Sequence, residues 1–280
     1  MDRHASRGTR RKAASRFLGI VTVGVVAVAG VGLAAHSRGL DVFDPLSWWQ
    51  GRAYVDIEGR AVAVPRPAPA TGRLLPVVPV STQGPHAFVH LTESGGPVGF
   101  DPCRPVQYVV RPDGAPAAGP DLVSDAISQI SAATGLVFVD VGTTDEAPAV
   151  DRVLIQPDRY GTGWAPVLIA WSTELEVGAL AGDVAGVGGS AMVPGASGEG
   201  SWLAAGRLVL DVEDLTAVLG RGDGYARARA IVVHELAHVV GLDHVSDIHE
   251  LMNPTTSGVV QLGAGDLEGL ALVGAVECES

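Results

Sequence analysis

Residues 234–244 read His-Glu-Leu-Ala-His-Val-Val-Gly-Leu-Asp-His, a spacing that suits metal binding. On an α-helix the first two histidines are four positions apart, so they share one face and lie roughly 6 Å from each other. Both imidazoles can therefore reach a single ion, for which zinc–nitrogen bonds are about 2.0–2.1 Å long. The third histidine lies beyond the helix and can complete a three-ligand site whose fourth position stays open to water. The predicted zinc ligands are His234, His238 and His244.

Two further residues of this segment have predicted roles. Glu235 follows the first ligand and projects beside the metal, where a general base for a water molecule belongs. Gly241 comes after the second histidine, and a glycine can adopt a positive φ without steric cost, end the helix and turn the chain back. The segment therefore predicts a catalytic zinc site with Glu235 as its base.

The pattern H-E-x-x-H-x-x-G-x-x-H defines the metzincin zinc peptidases, and residues 98–280 resemble a metzincin catalytic domain. Leu251-Met252-Asn253-Pro254 begins seven residues after His244 and resembles the Met-turn, whose methionine, here Met252, lies beneath the zinc ligands. Asp266-Leu267-Glu268-Gly269-Leu270 resembles the start of the final helix of the matrixins, the matrix-metalloproteinase-like branch. The chain thus resembles a divergent, bacterial-type matrixin.

The sequence also departs from the pattern of this branch. Val245 follows the third histidine, where matrixins usually have serine. Gly189-Ser190-Ala191 stands where matrixins have the histidines and aspartates of a structural zinc, so we expect one catalytic zinc only. Calcium stays open, since Asp183 and Asp211 occupy predicted loops without a specific spacing. Pro254 stands where astacins and serralysins have tyrosine, which argues against those two branches.

The resemblance implies a zincin-like α/β (α+β) fold, with a twisted five-stranded mixed sheet and three helices, and a zinc-dependent endopeptidase. In such an enzyme Glu235 takes a proton from the attacking water, activated at the metal, and passes it to the leaving amine. An extended protein or peptide substrate would add a strand to the edge of the sheet. The segment Pro254–Ser257, on the resemblance alone, would wall the pocket for the residue after the cut. The substrate-binding residues expected in this way are Ser190, Ala191, Met192, Val193, Pro254 and Thr255.

Hydrophobic patterning and turn residues predict an element order that agrees with this fold. The predicted strands are Val106–Val110, Val137–Val141, Val167–Trp171, Gly186–Val193 at the sheet edge, and Arg207–Asp211. The predicted helices are Asp121–Thr134, Tyr225–Val240 with the metal ligands, and Ala264–Val273.

The N-terminal region predicts export. Residues 1–16 carry six basic side chains against one acid, and residues 17–35 form an uncharged apolar run of nineteen. That run is long enough to span a bilayer, with the basic end in the cytoplasm and the remainder outside. We expect a single-pass membrane anchor at residues 17–35; a cleaved signal is the alternative, because Leu33-Ala34-Ala35 offers a small-residue cleavage pattern and cleavage would release a secreted protein.

Residues 36–97 have the composition of an extracytoplasmic stalk ahead of the peptidase domain at residues 98–280. Its prolines interrupt helices and central strands, and its apolar residues show no sustained period. His86 and His90 are four positions apart, but no helix is predicted through this region, so they are weak candidates for metal ligands. These prolines include Pro65, Pro67, Pro69, Pro76, Pro79, Pro85 and Pro97.

Charge excludes one class of partner. The chain has a formal net charge of −12, and residues 17–280 alone carry 13 basic and 30 acidic side chains, a net charge of −17. Such an acidic surface has no electrostatic reason to bind nucleic acid. We expect a monomer whose partners are a protein or peptide substrate and the membrane.

The only two cysteines, Cys103 and Cys278, flank the predicted domain. In an exported protein this arrangement predicts a disulfide that joins its ends. The alternative comes from the matrixins, whose propeptide cysteine caps the zinc, because Asp101-Pro102-Cys103-Arg104 is superficially similar to that segment. Little slack lies between Cys103 and the first strand, which favours the disulfide.

Two other functions remain open at this point. The chain could be a non-catalytic, zinc-stabilised binding module displayed at the cell surface, although Glu235 would then have no purpose. It could also be a zinc amidase that acts on cell-wall peptides. Cleavage of proteins and peptides that a chelator abolishes would separate an endopeptidase from a pure binder.

Overall fold

In the residues that this computed structural model describes, 51–255 and 258–279, the chain forms nine strands and five α-helices. The strands are β1 (Tyr54–Ile57), β2 (Arg60–Ala63), β3 (Ala87–Phe88), β4 (Val106–Arg111), β5 (Phe138–Thr143), β6 (Val167–Ser172), β7 (Gly186–Pro194), β8 (Ser201–Asp211) and β9 (Leu242–Asp243). The helices are α1 (Gly119–Thr134), α2 (Pro157–Tyr160), α3 (Val212–Leu219), α4 (Gly224–Val240) and α5 (Ala264–Gly274).

Five of these strands form the central mixed sheet, in the spatial order β5-β4-β6-β8-β7. The pairs among β5, β4, β6 and β8 are parallel, and β7 runs antiparallel to β8 at one edge. The predicted five-stranded mixed sheet and its edge strand are therefore confirmed. Strand β8 is longer than predicted, because its pairing with β7 continues from Arg207 back to Ser201.

Both faces of the sheet are covered, which explains why all six residues of β6 are buried. Alternate side chains of a strand point to opposite faces. Ile169 and Trp171 belong to the large core shared with α1, α4 and α5, whereas Leu168 and Ala170 pack with Val109 on the other face. Helix α4, which carries His234 and His238, thus lies on the side of the sheet that carries the main core.

Helix α3 and the short helix α2 were not predicted, so the expected count of three helices is wrong for the described residues. Helix α3 begins directly after β8, without a glycine or proline between them. Its start is fixed by Asp211, whose side chain accepts a hydrogen bond from the backbone N–H of Asp214 at 2.8 Å. This N-cap satisfies one of the free donors at the helix start.

The region predicted as a stalk differs from that expectation from residue 52 onward, since Arg52–Ser280 form one compact unit. Strands β1 and β2 make a hairpin, and the backbone N–H of Ala53 donates to Ala196 O at 3.0 Å. Strand β3 pairs antiparallel with β9, the two residues that precede the third histidine. The prolines of residues 52–97 limit regular structure there. Isolated backbone hydrogen bonds nevertheless attach these residues to the rest of the compact unit.

The two cysteines form the predicted disulfide, Cys103–Cys278, with their Cα atoms 5.5 Å apart. The bridge joins the segment before β4 to the tail after α5. Because Cys103 is bonded in this way, it is not available to cap a metal, and the alternative drawn from the matrixin propeptide is corrected.

No helix within the described residues is long and apolar enough to cross a membrane. Residues 1–16 and the predicted anchor at residues 17–35 lie outside the described part of the chain.

Candidate metal centre

Helix α4 and the turn at its end position the three histidines. His234 and His238 lie one turn apart on the same face of α4. The helix ends at Gly241, where φ is 117°, a conformation that favours glycine. A Cβ atom at this position would also approach Val98 O to 2.9 Å. The turn at Gly241 leads into β9 and returns His244 to the helix face, as predicted.

The imidazoles converge at their Nε2 atoms. His244 Nε2 lies 3.1 Å from the Nε2 atoms of both His234 and His238. One ring nitrogen from each of the three residues falls within 4.8 Å of the other two. Three nitrogens at this separation are close enough to share a single ion.

The remaining nitrogens of the two helical rings are held by backbone carbonyls. His234 Nδ1 lies 2.7 Å from Leu251 O, and His238 Nδ1 lies 2.8 Å from Leu242 O. Because a carbonyl oxygen can only accept, each Nδ1 must carry the hydrogen and donate it. The Nε2 lone pairs therefore face the common point, which is the arrangement that metal-binding histidines use.

Burial favours the uncharged form of the two helical rings. Burial, and then the nearby ring of His238, lower the pKa of His234 to about 4. Burial also lowers the pKa of His238. A neutral imidazole is the form that binds a metal ion, so both helical ligands are ready to bind one at neutral pH.

Glu235 lines the same cleft as the three histidines. Burial raises the pKa of its carboxyl to about 7, although a hydrogen bond from the backbone N–H of Gly188 opposes the rise. A carboxyl group with a pKa near neutrality can both accept and return a proton at physiological pH. Glu235 therefore has the environment expected of a general base.

The backbone of strand β7 packs directly against α4, and the glycines of β7 make this close packing possible. A Cβ atom at Gly186 would lie 2.8 Å from Cγ of Glu235, and one at Gly188 would overlap the carbonyl oxygen of Glu235. The predicted glycine-rich edge strand thus brings its own backbone directly against the candidate base. This contact between β7 and α4 was not predicted, although a glycine inside a strand often marks a place where another backbone approaches closely.

The segment predicted as the Met-turn lies against the first ligand. Met252 is 1% exposed and belongs to the main core. Its neighbour Leu251 supplies the carbonyl that accepts from His234. The turn is closed by hydrogen bonds between Val245 N and Met252 O at 3.1 Å and between Asn253 Nδ2 and Val245 O at 3.3 Å.

A cleft of about 780 Å³ opens beside the histidines and Glu235. Pro254 and Thr255 line it, and their contact with a substrate stays a prediction. One wall comes from the start of β7, and the cleft extends along α4 towards the N-terminus of that helix. The lining residues outside the metal site include Asp183, Val184, Ala185, Gly186, Val187, Gly188, Val218, Arg227, Ile231 and Val260.

Ser190, Ala191, Met192 and Val193 lie on the edge strand but do not line this cleft, and their contact with a substrate stays a prediction. The Ser190 hydroxyl donates to Val239 O at 2.7 Å and so holds the strand on the helix. The pairing of β7 with β8 also changes register at this point, because Ser190 faces a bulge. The part of the edge strand beside the base is therefore Gly186–Gly188.

Two buried carboxylates near the site were not predicted. Glu250 is 4% exposed and accepts from the backbone N–H groups of Gly265 and Asp266, both at 2.9 Å. Asp266 is 1% exposed and accepts from Gly263, Leu251 and Met252. Burial raises the pKa of Asp266, and these hydrogen bonds oppose the rise. Asp266 could have been predicted to cap α5, because acidic residues are favoured in the first turn of a helix. No local sequence pattern predicts the contacts of Glu250.

Side chains of the kinds that bind metals cluster at two places in the described part of the chain. One is the histidine triad, which fits a single ion with nitrogen ligands; the other is Asp101 with Cys103 and Cys278, whose sulfurs are already joined. His86 and His90 belong to neither cluster, and no calcium site is found among the described residues.

No family model matches the sequence, and no curated protein matches it. Similar solved structures include an archaemetzincin from Methanopyrus kandleri, with 17% identity over 58% of this chain and 84% of that chain and a TM-score of 0.31. A hatching-enzyme zinc protease from Oryzias latipes, high choriolytic enzyme 1, has 16% identity over 56% of this chain and 50% of that chain, with a TM-score of 0.23.

The GM1-bound form of the ECX AB5 holotoxin is also similar, with 12% identity over 57% of this chain and 61% of that chain and a TM-score of 0.31. The chain thus spans less than two thirds of the length of two of these three proteins. Because all three TM-scores lie below 0.5, these similarities do not assign a function to the chain.

Proposed function

We propose that the chain is a zinc-dependent endopeptidase that works outside the cytoplasm. The observation that carries the proposal is the convergence of three imidazole Nε2 atoms, two of them 3.1 Å from the third, in a cleft that also contains the buried carboxyl group of Glu235. A structural zinc site would be closed by four protein ligands, whereas catalytic sites keep one position open. His234, His238 and His244 would hold the ion.

When bound, zinc would lower the pKa of water and polarise the carbonyl of the substrate. The chain itself must supply the proton transfers. Glu235, with a pKa of about 7, would take a proton from the attacking water and deliver it to the nitrogen of the leaving amine. Gly188 N–H would hold the carboxylate in position through its hydrogen bond.

Substrate binding would use the free edge of the sheet. Strand β7 is the last strand in the sheet order, and Gly186–Gly188 line the cleft beside Glu235. An extended peptide can add to such an edge through main-chain hydrogen bonds. Pro254 and Thr255 would contact the residue after the cut, and the length of the cleft along α4 favours a peptide over a small molecule.

The finer assignments rest on sequence. The motif and the segment around Met252 support a matrixin-like metzincin of divergent bacterial type. The apolar run at residues 17–35 supports a membrane anchor that leaves the site outside the cell, and the disulfide is typical of an oxidising compartment.

The test is cleavage of casein and of a mixed peptide library by the purified full-length chain, with metal content measured on the same sample. We expect about one zinc per chain and cleavage that phenanthroline abolishes and added zinc restores. Glu235→Gln is expected to keep the zinc and to lower turnover by about 10²–10⁴-fold, the usual contribution of a general base.

Each outcome decides between the candidate functions. Zinc binding without cleavage of any peptide or protein would support a binding module. Cleavage restricted to cell-wall peptides would support an amidase. Parent-like turnover by Glu235→Gln would exclude Glu235 as the base.

A further inference from the structure

The Asp266 carboxylate lies beneath the turn that touches the first metal ligand. It is almost completely buried at the start of α5, and its oxygens accept from Leu251 N at 2.6 Å, Gly263 N at 2.8 Å and Met252 N at 3.2 Å. All three partners are N–H donors, so the ionised form fits the site, whereas a protonated carboxyl would direct an O–H towards a donor.

One of these hydrogen bonds is shared with the metal site through a single peptide group. The peptide between Leu251 and Met252 donates its N–H to Asp266 Oδ1, and its carbonyl oxygen accepts from His234 Nδ1 at 2.7 Å. Hydrogen bonds that pass through one amide polarise each other. A carboxylate at the N–H end therefore increases the negative charge on the Leu251 oxygen and strengthens its bond to the ring.

The second helical ligand has a different partner. His238 Nδ1 donates to Leu242 O, and Leu242 pairs with Phe88 in the short two-stranded sheet. Both ligands therefore rest on backbone carbonyls, but the carbonyl that holds His234 belongs to a peptide in contact with a buried carboxylate. His238 is an internal comparison within the same molecule.

We propose that Asp266 is a positioning residue for metal binding and acts on His234 through the Leu251–Met252 peptide. It strengthens the hydrogen bond from Nδ1 to Leu251 O, and so helps to fix the orientation of the ring and raises its basicity. A carboxylate bonded directly to a metal-binding histidine has this effect in other metal sites; here one peptide group stands between the two. The inference rests on the proposed metal site.

Glu250 provides the matched control. It is also a buried carboxylate, and it accepts only backbone N–H bonds, from Gly265 and Asp266, among the hydrogen bonds of the described residues. Both of those donors belong to the first turn of α5 and neither lies in the peptide that contacts His234. Glu250→Gln thus removes a second buried carboxylate, one that contacts the backbone of Asp266 but makes none of the hydrogen bonds of the Asp266 carboxylate or of the Leu251–Met252 peptide.

The experiment uses the full-length chain with ¹⁵N-labelled histidine, first without metal and then in zinc titrations against a competing chelator. In the parent we expect His234 to carry its hydrogen on Nδ1, with that proton further downfield than the corresponding proton of His238. Asp266→Asn is expected to move the His234 Nδ1 proton upfield towards that of His238, to leave His238 unchanged, and to weaken zinc binding about 10–100-fold. Glu250→Gln should leave both the His234 signals and zinc affinity within about twofold of the parent.

Three results would overturn the proposal: equal shifts of both rings in Asp266→Asn, equal losses of zinc affinity in the two variants, or a His234 proton in the parent no further downfield than that of His238. The last comparison needs no variant and decides the matter if Asp266→Asn does not fold. A parent chain that binds no zinc would instead refute the proposed function, and the spectra of the metal-free protein would still test Asp266.

Discussion

Gly188 has no space for a side chain, because any Cβ atom there would overlap the main chain of Glu235. Its neighbour Gly189 has no atom within 4 Å of the corresponding position and is not in the left-handed region. The two adjacent glycines of β7 therefore differ in their steric environment while sharing the same strand.

We predict that Gly188→Ala separates β7 from α4, displaces the carboxyl of Glu235 and destabilises the fold by about 1–3 kcal/mol, as overpacking usually does. Activity on a peptide should fall by about 10²-fold, the effect of a catalytic group misplaced by about 1 Å. Gly189→Ala should stay within about 0.5 kcal/mol of the parent. Thermal unfolding and peptide cleavage measure both effects, and equal behaviour of the two variants would contradict the packing described here.

The titrating groups of the site act on stability in opposite directions in the metal-free protein. Glu235 has a pKa of about 7, above its ordinary value of 4.5, so its contribution to stability is present below pH 4.5 and is lost as the pH rises through 7. His234 has a pKa of about 4, below its ordinary value of 6.5, so its contribution to stability is present above pH 6.5 and is lost as the pH falls through 4.

We therefore predict a pH-dependent effect of Glu235→Gln on the chelated protein. At pH 8 the variant avoids a buried charge and should be more stable than the parent, on the order of 1–3 kcal/mol. At pH 5 the parent carboxyl is protonated, so the difference should nearly vanish. Urea unfolding at the two pH values with excess chelator gives the comparison, and a difference that does not change with pH would refute it.

At the scale of elements, β3 connects the N-terminal part of the described chain to the metal site. Its two residues pair with Leu242 and Asp243, immediately before the third ligand, and Val89 N donates to Gly241 O at 3.0 Å. The glycines of α5 allow the same segment to approach closely, because a Cβ at Gly269 would lie 2.7 Å from Leu242 Cδ2 and 3.0 Å from His86 Cβ.

The variant Phe88→Ala tests whether β3 helps to position His244. Phe88 packs against the main core, whereas the next side chain, Val89, is 43% exposed. We predict that Phe88→Ala costs about 1–3 kcal/mol and weakens zinc binding, because β9 loses its support, and that Val89→Ala is nearly neutral. Thermal unfolding and zinc titration provide the measurements. If Phe88→Ala kept the zinc affinity of the parent, β3 would have no part in positioning His244.

Prediction from sequence succeeded where the site is local. The three histidines, Glu235 and Gly241 lie on one helix and the turn at its end, so short-range geometry brings them together. The position of Ser190 opposite a bulge in β8, and its contact with Val239, could not be predicted in this way, because β8 and α4 are distant from it in sequence. The attachment of β3 likewise depends on hydrogen bonds to residues distant in sequence, which the proline content of the segment could not predict.

On the scale of the whole molecule, three separate parts of the sequence meet at the histidines. Helix α4 provides two ligands and the base, β7 closes one wall of the cleft, and the turn before α5 supports His234. Hydrophobic patterning predicted the sheet that holds β7 and α4 together, because alternation and helical periodicity are determined by burial. The carboxylates of Glu250 and Asp266 meet their hydrogen-bond donors only in the folded chain, so hydrophobic patterning could not predict these contacts.

The bridge between Cys103 and Cys278 spans 175 positions and encloses every strand of the main sheet together with the metal ligands. A protease that nicks any loop inside this ring leaves both fragments covalently attached, and the same would hold for the proposed activity of this chain on a second copy. Preparations of the protein would therefore migrate as one band in electrophoresis without reductant and separate into pieces once dithiothreitol is added. Self-digestion would go unnoticed unless samples were reduced.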